Sequence, residues 1–143
     1  MASKMDDGLS YLTIIVLLNA GVNLLHGLAH AELQVIPGLL DSLFIALIVG
    51  VAPLVSLLVV LKGSQRVGSS LLLVSLLASL IYGFYHHFLV VDTDSALSVP
   101  SGVSGALFLV TALLLLVTEI VGSWVAATLV LHGPVSSRYE FLK

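Results

Sequence analysis

The chain contains no cysteine. Disulfides, thiolate metal sites and iron–sulfur clusters are therefore excluded. Charge is scarce as well. Charged residues make up 9% of the 143, against roughly a quarter in an average soluble domain. No basic run is present to meet a polyanion, and nucleic acid is excluded as a partner. There is no glycine-rich phosphate loop, no Gly-x-Ser-x-Gly elbow and no His-Glu-x-x-His. The short polar stretches leave no room for a soluble catalytic domain.

What remains is apolar. Hydrophobic residues reach 59%, and the mean hydropathy is +1.17. Four apolar stretches, 9–35, 39–61, 69–91 and 103–131, are each long enough for the ~20 helical residues that cross a bilayer. They must be helical, because an unpaired backbone group in hydrocarbon costs several kcal/mol. Pro37-Gly38, "KGSQRVGS" and "DTDSALSVPSG" separate them. Pro53 lies inside the second stretch and is expected to kink it. No signal-peptide cleavage site accompanies the first stretch, which reads as a retained span. The expected fold is all-α, an antiparallel four-helix membrane bundle forming a single domain over 1–143.

Basic residues set the expected orientation. Lys4, Lys62, Arg66, Arg138 and Lys143 all fall on one side of a four-span chain. Glu32, Asp41, Asp92 and Asp94 fall on the other. Both termini are thus expected in the cytoplasm of a multi-pass cell-membrane protein.

The first span carries polar residues that lipid does not favour. Asn19, Asn23, His26 and His30 follow the spacing i, i+4, i+7, i+11 and share an arc of roughly 60° on a helix. Ser75, Ser79, Tyr82 and His86 repeat that spacing in the third span. "LLHGLAHAELQV" and "LIYGFYHHFLVV" align at an offset of 56, which pairs Gly27 with Gly83, His30 with His86 and His26 with Tyr82. This suggests a duplicated helical hairpin. Its repeats would be parallel, and spans one and three would face each other diagonally.

His30 and His86 are then expected to meet across the core. Two facing histidines suit a haem b, with Gly27 and Gly83 leaving room for the ring and Tyr82 bonding or gating the ligand. Alternatively His26, His30 and His86, with His87 as a further candidate, hold a zinc or copper ion. Inward polar groups also serve helix packing alone. Glu119 sits mid-span, where a carboxylate is costly. It is expected to be protonated or hydrogen-bonded, and is a proton-relay candidate. Asp41 and Glu32 are expected as outer partners of a histidine. Asp92 and Asp94 read as solvated loop charge, and His132 as interfacial.

Three functions fit these residues. One is a redox subunit passing electrons through haem or metal to quinone or a partner. Another is a zinc-dependent membrane enzyme acting on a lipid-soluble substrate. The last is a non-catalytic accessory subunit, for which a partner protein or a homo-oligomer is expected.

Overall fold

A computed structural model describes residues 2–91 and 94–132. Arg138, Lys143 and Asp92 lie outside the described residues, as does the side chain of Lys4. The described chain is helical throughout its four long elements: α1 (Ala2–Glu32), α2 (Leu39–Leu61), α3 (Gln65–Leu89) and α4 (Val103–His132). Each is long and apolar enough to cross a membrane, α1 from Gly8 onward.

The ends of these helices follow from the punctuation residues. α1 stops at Glu32, three residues before the expected Val35. Gln34 takes a left-handed φ of 56°, and the Val35 amide closes a wide turn on the His30 carbonyl at 3.0 Å. Pro37 then prevents the helix from resuming. Between α2 and α3 the turn is only Lys62 to Ser64. Gly63 has φ 87°, a helix-terminating conformation open to glycine without strain. Its amide bonds the Val60 carbonyl at 2.9 Å. α3 therefore begins at Gln65, earlier than the expected Ser69, and Arg66 is helical.

Each helix runs antiparallel to its chain neighbour. α1 packs on α4, α4 on α3, and α3 on α2, while α1 and α2 touch only lightly. Spans one and three are thus diagonal, as the parallel-repeat argument requires, and the α1–α2 seam is the loosest in the bundle. In the half nearer the Lys62 turn, the core is mainly apolar: Leu12, Val16, Leu57, Val60, Leu72, Leu76 and Ala126 pack together, and the only polar side chains buried there among the described residues are hydroxyls such as Ser56, Ser69 and Ser123. Gly68 brings α3 close to α2 there; a Cβ at that position would lie 2.7 Å from the Ser56 carbonyl oxygen. Large apolar side chains such as Leu24, Ile81 and Trp124 face outward, as expected for a surface solvated by lipid.

Two stretches depart from α-helical geometry. Ile45–Val51 in α2 and Tyr85–Leu89 in α3 are π-helical. The first directly precedes Pro53, whose missing N–H breaks the regular ladder, so the irregularity expected at that proline takes the form of a wide turn. The second is closed by the Val90 amide on the Tyr85 carbonyl at 3.0 Å. Both lie in the half of the bundle opposite the apolar core.

Candidate metal centre

The polar stripe of α1 turns inward. Asn19 is buried and donates to the Thr118 hydroxyl of α4 at 3.1 Å. Asn23 donates to the Asn19 carbonyl at 3.1 Å and to its side-chain oxygen at 3.0 Å. One turn further, His26 is 6% exposed and meets two other imidazoles. Its Nε2 lies 3.1 Å from Nε2 of His30 and 3.2 Å from Nε2 of His87. Phe108 of α4, fully buried, lies against all three rings, with centroids 4.9, 5.1 and 5.2 Å away.

The hydrogen-bond partners fix two of the tautomers. Thr111 donates its hydroxyl hydrogen to backbone carbonyls, Leu107 at 2.6 Å or Phe108 at 3.0 Å. Its oxygen therefore accepts from Nδ1–H of His26 at 2.8 Å. Nδ1 of His87 lies 3.0 Å from the Asp94 backbone carbonyl, which can only accept, so this nitrogen also carries its hydrogen. In the neutral rings, Nε2 of both His26 and His87 is then a lone pair. The two lone pairs point at one another across 3.2 Å. Such a pair repels unless a cation lies between.

The spacing suits a metal ion. A tetrahedral ion with bonds of ~2.0–2.1 Å holds its nitrogen ligands ~3.3 Å apart. The three histidines each offer a ring nitrogen within 4.8 Å of the others. Each Nδ1–H of His26 and His87 meets a fixed oxygen, the usual support for a metal-bound imidazole.

Asp94 reaches the cluster from the α3–α4 connection. Its Oδ1 is 3.3 Å from Nε2 of His30 and 3.3 Å from Nδ1 of His87. Partial burial pushes its carboxyl up, but the hydrogen bond from His87 and the positive charge available on His87, His30 and His26 outweigh burial. The net result lies below the usual carboxylate range. The connection is tied down by the Ala96 amide, which donates to the His87 carbonyl at 2.8 Å.

His86 is not in this cluster. Its ring stacks near Tyr82, with centroids 4.3 Å apart, and meets Tyr85 at 5.2 Å. The expected approach of His30 and His86 is replaced by His26 and His30 meeting His87. The wide turn at Tyr85–Leu89 supplies the cause. Each of its residues rotates by less than the ~100° of an α-helix, which swings His87 back over Gly83. A Cβ on Gly83 would lie 3.9 Å from the His87 ring. Tyr82 stacks on Phe44 at 4.6 Å, with Asp41 in hydrogen-bonding reach. Asp41 thus serves Tyr82 rather than a histidine, and Glu32 is exposed. His132 is exposed at the far end of α4.

A cavity of about 340 Å³ adjoins the three histidines. Gly27, Tyr82, Gly83 and Asp94 line it near the cluster, and Asn23, Ser79 and Glu119 line it deeper in the bundle. Val35, Ile36, Pro37, Ile45 and Val49 line it along the loose α1–α2 seam. Gly27 borders open space, where a Cβ would meet nothing within 4 Å.

Sequence reasoning missed Thr111 and misjudged Asp94. Thr111, Thr118 and Gly122 form a small-residue stripe on α4 that matches the stripe on α1, and this spacing was the available signal. For Asp94 there was none, because a loop has no periodicity. No known protein family, characterised protein or solved structure matches this chain.

Proposed function

We propose that this chain is an integral membrane metalloenzyme. It holds one zinc ion on the Nε2 atoms of His26, His30 and His87 and acts on a lipid-soluble substrate. The observation that carries this is the convergence of three Nε2 atoms, with separations of 3.1 and 3.2 Å, while the Nδ1 atoms of His26 and His87 are held as donors. Three imidazoles leave a tetrahedral ion one open position, the pattern of catalytic rather than structural zinc. The neighbouring cavity gives that position somewhere to face.

Bound zinc would lower the pKa of a coordinated water to ~7 and polarise a substrate oxygen. Asp94, within 3.3 Å of Nε2 of His30, is placed to accept a proton beside the ion. The loose α1–α2 seam offers a path for a substrate arriving from the bilayer. Lys62 and Arg66, at the opposite end of the bundle, support a reading in which the site lies in the outer half of a cell membrane with both termini cytoplasmic.

A bare ion accounts for the cluster better than haem does. Axial histidines must approach an iron from opposite faces of a wide ring, whereas these nitrogens converge on one point. Copper would take the same three nitrogens and is separated from zinc by elemental analysis. Purification in mild detergent without chelator should yield about one zinc per chain. His26→Ala, His30→Ala and His87→Ala should each abolish it, and His86→Ala should not. Metal-free wild-type protein that also fails to take up added zinc would refute the proposal.

A further inference from the structure

The cavity has a second polar end, built differently from the first. Antiparallel pairing of α1 and α4 sets His26 level with Thr111 and Asn19 level with Thr118. Glu119 and Ser79 then lie about two helical turns, ~11 Å, below the histidines. Side chains lean toward the N-terminus of their helix. Asn23 therefore leans down toward this level and Glu119 leans up.

The donors of Asn23 and Ser79 are already committed. Asn23 donates both of its hydrogen bonds to Asn19 from its amide nitrogen, one of them to a backbone carbonyl, which fixes the amide's orientation and leaves Oδ1 as an acceptor. Ser79 gives its hydroxyl hydrogen to the Ser75 carbonyl at 2.8 Å and keeps only its oxygen lone pairs. Glu119 is 3% exposed, lines the cavity, and makes no hydrogen bond to another described residue. A buried polar group without a partner is costly, so a carboxyl aimed into a cavity implies something that meets it there.

We infer that Asn23, Ser79 and Glu119 form an acceptor-rich subsite for a hydrogen-bond-donating group, a hydroxyl or an amine, on the ligand of this cavity. The inference deepens the metalloenzyme proposal and rests on it for treating the cavity as a substrate site. It narrows the substrate to an amphiphile with two polar features. The one addressed by the metal lies near the membrane surface, and the donor lies about two helical turns deeper. Apolar walls between the two ends suit a hydrocarbon linker.

The test uses the full chain in detergent, both chelator-treated and zinc-loaded, with 1-octanol, octylamine and octyl methyl ether as probes. Bound mass is followed by native mass spectrometry and affinity by thermal shift. The alcohol and the amine should each bind several-fold more tightly than the ether, about the worth of one hydrogen bond. An amine preferred over the alcohol identifies an ammonium ligand, and the reverse identifies a hydroxyl. Glu119→Leu should erase the preference over the ether while leaving zinc content unchanged. Ser79→Ala, a milder change, should reduce it if Glu119→Leu does not fold. A wild-type chain that discriminates among the probes yet holds no zinc would keep this subsite and remove the metal. Equal binding of all three probes, or discrimination untouched by both substitutions, would overturn the inference.

Discussion

The two halves of the bundle are built to different rules. Toward the Lys62 turn, Leu12, Val16, Leu57, Leu72, Leu76 and Ala126 close the centre with aliphatic side chains, and Gly68 and Gly122 let the helices approach. Toward Asp94, the centre holds Asn19, His26, Ser79, Thr111, His87 and Glu119, and it encloses a cavity. Both π-helical stretches fall in this second half. Lipid supplies no strong hydrophobic drive between helices, so close packing in the first half supplies association. The second half gives up packing for polar groups that lipid would not tolerate facing outward. Close packing and buried imidazole and carboxyl groups are thus segregated along the bundle axis.

Substitutions in the two halves should therefore fail in different ways. The largest effect is expected from His87→Ala, which removes one of three imidazoles and leaves two with an orphaned geometry. Metal should be undetectable by elemental analysis, while helix content measured by circular dichroism is unchanged. Next are the supports of the ligands. Thr111→Val removes the acceptor for Nδ1–H of His26, and Asp94→Asn weakens the grip on His87. Each should lower zinc affinity by about 10–100-fold in competition with a chromophoric chelator. In the other half, Gly68→Ala places a Cβ 2.7 Å from a backbone oxygen. It should destabilise the bundle by about 1–3 kcal/mol in denaturant titration, with full metal content in the folded fraction. The smallest effect is expected from His86→Ala. It removes a ring stacked on Tyr82, and the protein should keep its metal. Loss of metal with His86→Ala, or with Gly68→Ala in folded protein, would break the division between the halves.

Much of this architecture was legible in the residues themselves. Long apolar runs with proline and glycine between them marked four helices. Two connections separate spans one and three, so those spans run parallel and an up-down order sets them diagonal. Asn19, Asn23, His26 and His30 declared an inward face by their period. The repeat pattern misled at His86. It paired His30 with His86 because it assumed an unbroken α-helical period through α3, and the wide turn at Tyr85–Leu89 moves His87 into the core instead. No local residue preference announces such a turn. Asp94 was equally hidden, since its approach depends on how the α3–α4 connection folds back over His87 rather than on any helical phase.

Zinc K-edge X-ray absorption on protein purified without chelator tests the central claim most directly. Three imidazole nitrogens and one oxygen ligand at ~2.0–2.1 Å are predicted for the wild type. In His87→Ala the zinc signal should disappear, and in His86→Ala it should be unchanged. A metal-free wild type, or zinc retained in His87→Ala and lost in His86→Ala, would contradict a centre built on His26, His30 and His87.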